Sequence, residues 1–344
     1  MNSRILSFAM LLLLWLPGSS ASAAEACAPD GAVQFVCGVE SAEDLIAVPG
    51  TPWVIASGRI ADDDGFLYGV DTRDHSSTVL YPGGTSSFAP NFTLYRTCPG
   101  APAPSFQPHG VALREGQGSQ HTLYVVGHGE REAVEVFTLD ASGAVPSLTW
   151  IGCVIAPEGV SLNSVTSLPG NGGPIVVTNF VVAGGELWEW SASAGWSEVP
   201  GSESAGPNGV VSSPDGNWLY VGGWGSESLI RLSRGRMPVE TESAPVGFHI
   251  DNVRWAPDGT LLVAGQYNAP GSNIGACLRS GGSCEGIASR AAKVDPVTLE
   301  VEQLVDYPSN DLLKFGTVAI QVDDEIWVGG IAGATRIGRF AVRQ

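Results

Sequence analysis

The sequence repeats one pattern along its length, and this pattern limits the folds that the chain can adopt. In its four clearest copies, the pattern begins with a residue that carries a side-chain oxygen, continues as a short strand, and reaches a proline six positions later. A second strand follows the turn, so each copy predicts an antiparallel hairpin. The four clearest copies are EDLIAVPG from Glu43, NSVTSLPG from Asn163, NGVVSSPDG from Asn208 and DNVRWAPDG from Asp251.

Two further copies complete the set. HGVALREG from His109 has the same shape without the proline, and GTVAIQVDDEIWVGG from Gly316 is the sixth copy. Six copies of roughly 50 residues suit a four-stranded propeller blade better than a helical repeat. The 45 glycines and 23 prolines separate short apolar runs, and helical periodicity is almost absent. The sequence therefore predicts an all-β fold, a six-bladed β-propeller with four-stranded blades around a central channel.

The first 23 residues have the features of a signal peptide. A basic start at Arg4 precedes the apolar stretch 5–16, and Ala21-Ser22-Ala23 matches a cleavage site. This stretch is too short to cross a bilayer, and we expect no transmembrane span elsewhere. We expect residues 24–344 to form a single propeller domain that is exported, periplasmic or secreted, and monomeric.

Charge and cysteine content fit an exported protein. The net charge of −18 argues against nucleic acid and anionic membranes as partners. Export makes the six cysteines candidates for disulfides. Cys277 and Cys284 enclose a short glycine-containing loop, so we predict that they pair. The other four allow three pairings, which stay open: these are Cys27, Cys37, Cys98 and Cys153.

The repeat also predicts where polar side chains meet. In a propeller the innermost strand of each blade lines the channel, so the first residues of the inner strands lie at one end of it. Carboxylate and amide oxygens without cysteine suit Ca²⁺, which accepts 6–8 oxygen ligands. The alternative is that these residues cap ordinary turns. We predict a calcium site formed by Glu43, Asn163, Asn208, Asp251 and Asn252.

His109 opens the inner strand of the second blade. The next strand returns antiparallel and ends at His128, so two imidazoles are expected side by side at the rim of the metal ring. In such a pair, one imidazole can take a proton from water while the other orients it or shares the charge. We predict that His109 is a general base supported by His128. The alternative is a structural role for both.

In these residues the sequence resembles the paraoxonase family of calcium-dependent lactonases and arylesterases, and more distantly the senescence-marker and gluconolactonase propellers. The resemblance rests on segments in the family's order and approximate spacing: ESAEDL, PHGVAL, LYVVGHGEREAVEVF, SLNSV, GPNGVVSSPDGNWLYV, HIDNVRWAP and GTVAIQVDDEIWVG. It implies a catalytic Ca²⁺ held by the five residues above, with His109 and His128 as the dyad that activates water. It also implies a second, structural Ca²⁺ near Asp44 and the carbonyl oxygen of Val111.

The sequence departs from this family in ways that affect the second ion and the substrate. Ser164 stands where the family has an acidic ligand of the structural calcium. Phe180 and Gln266 stand where the animal enzymes have an acidic residue and a histidine that shape the pocket. We expect both residues to lie in the substrate pocket, together with His249 and Thr317, but the substrate preference does not carry over.

These patterns together predict a calcium-dependent hydrolase of a small lactone or aryl ester. No G-x-S-x-G motif is present, which argues against a serine hydrolase. Two alternatives keep the same metal. One is a non-catalytic, calcium-stabilised ligand-binding propeller, which has no need of paired histidines. The other is a propeller isomerase or lyase with different acid–base groups.

Overall fold

The computed structural model describes residues 27–59, 64–83, 86–103, 105–170, 172–279 and 282–342. The strands form six sheets, and the inner strand of each sheet contacts the inner strands of the sheets on both sides. The sheets therefore close into a ring, and the predicted six-bladed β-propeller is confirmed. The predicted signal peptide, residues 1–23, lies outside the described residues.

Each blade is an antiparallel meander with its first strand at the channel. Blade one consists of β2 (Ala42–Ala47), β3 (Trp53–Arg59), β4 (Gly65–Asp71) and β5 (Ser77–Tyr81). Blade two has β7 (Gln107–Arg114), β8 (Gln120–His128), β9 (Ala133–Asp140) and β10 (Ser147–Ile155). Blade three has β11 (Leu162–Ser167), β12 (Ile175–Asn179), β13 (Leu187–Ser191) and β14 (Gly195–Glu198).

The second half of the ring follows the same plan. Blade four has β15 (Pro207–Ser212), β16 (Trp218–Gly223), β17 (Ser228–Ser233) and β18 (Thr241–Pro245). Blade five has β19 (His249–Trp255), β20 (Leu261–Asn268), β21 (Ile287–Val294) and β22 (Val301–Pro308), with helix α1 (Ile274–Leu278) between its second and third strands. Blade six has β23 (Phe315–Val322), β24 (Glu325–Ile331), β25 (Arg336–Ala341) and β1 (Gln34–Cys37).

Two blades differ from a simple meander. Blade two has a fifth strand, β6 (Ser86–Phe88), which pairs in parallel with β10. Blade six takes its outer strand from the opposite end of the chain, because β1 pairs antiparallel with β25. The two ends of the described chain therefore share one sheet, and this pairing closes the ring.

The hydrophobic core lies between the blades, because the sheets bury apolar side chains on both faces. Consecutive residues of β8, from Leu123 to Val126, point alternately to the two faces and are all buried. This explains why the strands read as continuous apolar runs such as TLYVV rather than as an alternating pattern. Each fully buried side chain of this size contributes about 1.5–3 kcal/mol to stability.

A register shift interrupts each inner strand near its start. Such a bulge leaves a residue unpaired and re-aims its side chain. In two blades the register shift includes a glycine. A Cβ on Gly110 would lie 2.5 Å from the Asn163 carbonyl oxygen, and a Cβ on Gly209 would lie 2.6 Å from the Asn252 Cα. These glycines let neighbouring inner strands approach closely. The residues inside the six shifts are 43, 109–110, 163–164, 208–209, 251 and 317.

Three disulfides link the six cysteines. The predicted Cys277–Cys284 bridge is confirmed, and it ties α1 to the loop that follows it. The pairing that the sequence left open is Cys27–Cys37 and Cys98–Cys153. Three disulfides indicate an oxidising environment.

We expect the Cys98–Cys153 bridge to stabilise the fold most, because it closes the longest loop. The bridged residues are 55 positions apart, against 7 for Cys277–Cys284. Loop-closure entropy gives about 4 kcal/mol for the first bridge and about 2 kcal/mol for the second. Urea unfolding of the two double cysteine-to-alanine variants measures the difference, and equal losses of stability would contradict this reasoning.

No helix within the described ranges is long and apolar enough to cross a membrane.

Candidate functional site

The inner strands bring the predicted ring residues to one end of the channel. A cavity of about 1110 Å³ opens there. Asn252 is fully buried beside it, and its amide donates to Glu43 Oε1 at 2.8 Å. The residues that line the cavity include Glu43, His109, Asn163, Asn208 and Asp251. Five residues that are far apart in sequence therefore line the same cavity, as the repeat predicts.

Several oxygens of this ring are buried and lack a hydrogen-bond partner in the protein. They are Glu43 Oε2, Asn163 Oδ1, Asn208 Oδ1 and Asn252 Oδ1. An unsatisfied buried polar atom costs about 1–3 kcal/mol, so four of them in one place require compensation. With the Asp251 carboxylate they form a set of hard oxygen donors of the kind that Ca²⁺ prefers. The residues present therefore fit the predicted ion.

The two carboxylates of the ring differ in pKa. Burial and the charge of Glu43 raise the pKa of Asp251 to about 8. Burial also acts to raise the pKa of Glu43, but His109 and the hydrogen bond from Asn252 outweigh it, and the net shift is downward. The negative charges of two neighbouring carboxylates repel each other, and a nearby cation allows both groups to ionise. A divalent ion would compensate both charges.

The donor set is dominated by amides rather than by charged groups. Among the described residues, no group of three or more His, Cys, Asp or Glu side chains is placed to hold a metal ion. The ring has two carboxylates, and its other three members are asparagines. Any ion held here would therefore take most of its side-chain contacts from neutral amide oxygens.

The two histidines form a hydrogen-bonded pair at the edge of the ring. His109 Nδ1 lies 2.8 Å from His128 Nε2, and the rings meet edge to face. His109 Nε2 lies 3.4 Å from Glu43 Oε1. His109 lines the channel cavity, whereas His128 lines a separate cavity of about 350 Å³ between the blade and the loop 99–103. The pair thus connects the channel with a second cavity.

Glu132 extends this pair and was not among the predicted site residues. Its Oε2 lies 2.8 Å from His128 Nδ1, and its Oε1 accepts the backbone N–H of Leu162 at 2.5 Å. Glu132 stands four residues after His128, in the turn between β8 and β9. A carboxylate that follows a candidate catalytic histidine within one turn is the signal that could have revealed it.

Apolar side chains form part of the cavity wall. Phe180 lines it, as predicted, and meets Trp224 edge to face with ring centroids 6.2 Å apart. His249 does not line the cavity, because it stacks behind Trp224 at a centroid distance of 4.4 Å. Its Nδ1 lies 2.7 Å from the Trp224 carbonyl oxygen. Trp224, which follows the end of β16, was not among the predicted site residues.

Gln266 and Thr317, which we expected in the substrate pocket, do not line the cavity. Both are fully buried, and they support the ring from behind. The Gln266 amide donates to Asp251 Oδ2 at 2.8 Å and to the Gly316 carbonyl oxygen at 2.7 Å. The Thr317 hydroxyl donates to the Glu43 carbonyl oxygen at 2.7 Å. Both residues therefore orient predicted ligands instead of facing a substrate.

The cavity mouth combines apolar and charged side chains. Val182 and Leu278 are 54% and 45% exposed there, and the Cys277–Cys284 bridge anchors the helix that carries Leu278. Arg59, Lys314 and Glu40 also line the cavity. Such a rim favours an apolar ligand with room for a polar group.

The position predicted for a second calcium ion does not fit a metal. Asp44 and the carbonyl oxygen of Val111 do converge on a cation, but that cation is the guanidinium of Arg254. Burial raises the pKa of Asp44 to about 6 although Arg254 opposes the shift. Ser164 bonds elsewhere: its hydroxyl accepts the backbone N–H of Val210 at 3.2 Å.

The fold and the oxygen ring define a six-bladed propeller with a candidate cation site in its channel. No protein-family model matches this chain, and no curated protein matches it. Solved structures with similar architecture include a luciferin-regenerating enzyme, which is 11% identical, with 90% of this chain and 95% of that chain covered and a TM-score of 0.53. This likeness shows a shared fold.

Two other solved structures share less of the architecture. A hydrazine synthase of Kuenenia stuttgartiensis is 14% identical, with 92% and 77% of the two chains covered and a TM-score of 0.49. A proposed 6-phosphogluconolactonase of Bacteroides fragilis is 12% identical, with 84% and 77% covered and a TM-score of 0.46.

Proposed function

We infer that this chain is a calcium-dependent hydrolase of small lactones or aryl esters. One observation carries the proposal: a hydrogen-bonded chain from Glu132 through His128 to His109 ends beside a ring of unpartnered oxygens. A ligand-binding propeller would need the ring but not the chain of histidines. The apolar part of the cavity wall suits a hydrophobic ester or lactone.

The hydrogen bonds support Nε2 of His109 as the nitrogen that acts as the base. A carboxylate only accepts, so His128 donates its Nδ1–H to Glu132 and keeps Nε2 as an acceptor. His128 Nε2 then accepts the Nδ1–H of His109. The lone pair of His109 therefore lies on Nε2, the nitrogen that faces Glu43 and the channel. Burial acts to lower the pKa of His109, but the neighbouring Glu43 carboxylate outweighs it and the net shift is upward, which favours His109 as a proton acceptor.

When bound, Ca²⁺ would polarise the substrate carbonyl and stabilise the negative charge that develops on its oxygen. His109 Nε2 takes a proton from water as the water oxygen bonds to the carbonyl carbon. The C–O bond to the leaving oxygen then breaks, and His109 returns the proton to that oxygen. His128 shares the resulting positive charge through the Nδ1–Nε2 hydrogen bond, and the Glu132 carboxylate stabilises it. Glu43, Asp251 and the three asparagines would hold the ion in the channel next to His109.

We expect the protein to bind calcium and to be stabilised by it. At a hundredfold excess of Ca²⁺ over Kd, the free energy of unfolding rises by about 2.7 kcal/mol. The Asn208→Ala variant loses this gain because it lacks one ring oxygen. Asn217→Ala is the matched control, since Asn217 lies in the exposed turn between β15 and β16. Elemental analysis and calcium-dependent melting provide the measurement, and stoichiometric zinc without calcium would refute the proposal.

A substrate panel distinguishes the proposed function from its alternatives. It contains aliphatic lactones of increasing chain length, aryl acetates and, as a negative set, sugar acids that could only isomerise or eliminate. The hydrolase account predicts ring opening or ester cleavage for at least one member, with loss in His109→Gln. Binding of these compounds without turnover would favour a ligand-binding propeller, and turnover of the sugar acids alone would favour an isomerase or lyase.

A further inference from the structure

Arg254 is a buried cation in the middle of the channel. It lies on the inner strand β19, and its side chain is 6% exposed, while that of its partner Asp44 is fully buried. On one side of this pair lies the cavity that Glu43 lines. On the other side, Arg254 and Val111 line a cavity of about 950 Å³ at the opposite mouth. The guanidinium therefore separates the two halves of the channel.

The contacts of Arg254 are all to oxygen. Nη2 donates to the Asp44 carboxylate and, at 2.8 Å, to the Val111 carbonyl oxygen. Nε donates to the Leu45 carbonyl oxygen at 3.0 Å, and Nη1 donates to the Val253 carbonyl oxygen at 2.9 Å. Four of the five guanidinium N–H groups thus have acceptors. These come from β19, β2 and β7, which belong to three different blades.

The Asp44 carboxylate is held from both sides. The backbone N–H groups of Leu45 and Val111 donate to it at 2.9 and 2.7 Å. The guanidinium is thus surrounded by one carboxylate and several backbone carbonyl oxygens. A divalent ion such as Ca²⁺ prefers oxygen ligands of the same kinds. A divalent ion beside the guanidinium would face direct charge repulsion in a site of low dielectric constant. The guanidinium and a metal ion therefore exclude each other here.

We propose that the Arg254 guanidinium is a built-in cation in a latent second metal site. It neutralises Asp44 and joins three blades, so the propeller takes one divalent ion in its channel and needs no second ion. Removing the guanidinium converts the oxygen pocket into a Ca²⁺ site. This corrects the expectation of a second calcium at Asp44, Val111 and Ser164. The proposal rests on the proposed function only for the first ion.

The test is calcium stoichiometry in the full-length protein with and without the guanidinium. The variant is Arg254→Met, which keeps the volume and removes the charge. The control is Arg114→Met: Arg114 also lies on an inner strand and donates to the carbonyl oxygens of Leu168, Gly170 and Pro174, but to no carboxylate. Ca²⁺ alone is the probe, measured by calorimetric titration after EGTA treatment and by melting temperature.

We expect one ion in the wild type, one in Arg114→Met and two in Arg254→Met. In EGTA the melting temperature of Arg254→Met falls by about 10 °C, because Asp44 loses its partner. Added Ca²⁺ restores most of that loss. In Arg114→Met, calcium changes the melting temperature only as much as in the wild type.

The stoichiometries separate this proposal from the proposed function. Two ions in the wild type, or no additional ion in Arg254→Met, would overturn the role of Arg254. No ion in the wild type together with one in Arg254→Met would support Arg254 and refute the catalytic ion. If Arg254→Met stays unfolded at every calcium concentration while Arg254→Lys folds, the pocket is not a latent metal site.

Discussion

Replacing His109 by glutamine lowers kcat for a lactone by about 10²–10⁴-fold, the usual contribution of general-base catalysis. Glutamine keeps a polar side chain of similar reach but cannot take the proton from water. Calcium affinity changes little, because the imidazole does not belong to the oxygen ring. The measurement combines steady-state kinetics with calcium titration and melting temperature on the same preparation.

The matched control for this variant is His75→Gln. His75 packs against Trp327 in the outer part of the propeller, away from the channel. We expect its variant to keep wild-type turnover. If His109 were only structural, His109→Gln would lower the melting temperature and leave kcat per folded molecule intact. That result would remove His109 from the mechanism.

Replacing Glu132 by glutamine also lowers kcat strongly, although Glu132 does not touch the substrate. The amide oxygen would keep the hydrogen bond from the Leu162 N–H, which leaves the amide NH₂ facing His128 Nδ1. His128 would then accept at Nδ1 and donate from Nε2 to His109. The proton of His109 would move to Nε2, the nitrogen that must be free. A wrong histidine tautomer costs about 10⁴-fold in a comparable triad.

The readouts for Glu132→Gln distinguish positioning from structural support. Because the variant retains the bond to Leu162, the melting temperature stays near that of the wild type. KM changes little and kcat falls by about 10²–10⁴-fold, a loss that raising the pH does not restore. Glu130→Gln is the control, since Glu130 is an exposed neighbour in the same turn. Equal kcat values for the two variants would show that Glu132 does not set the tautomer.

The repeat predicted the fold and the ring because both follow from one register. Glu43, Asn163, Asn208 and Asp251 each precede a proline by six positions, and a register shift near the start of every inner strand turns these side chains into the channel. His109 and His128 follow from antiparallel pairing of two neighbouring strands. These relations are local, so the sequence alone is enough to infer them.

Two of the residues that the sequence did not reveal lie outside that register. Glu132 comes from a turn, and Trp224 comes from a strand end, where periodicity gives no orientation. Arg254 was visible as an exception: it lies three positions after Asp251, where four of the five other copies have Ile46, Ala112, Thr166 and Val211. Its role depends on Asp44 and Val111, which reach it from two other blades. Contacts across the channel of this kind have no signature in local sequence.

The most direct test of the account is the lactone hydrolysis rate of the wild-type protein after exhaustive EGTA dialysis and after metal is returned. The experiment uses the best substrate of the panel, with bound calcium measured in the same samples. We predict that activity disappears with the channel ion, returns with Ca²⁺ in proportion to the ion bound, and returns less with Mg²⁺, which demands a tighter octahedral site. Full activity in protein that holds no calcium would contradict the account.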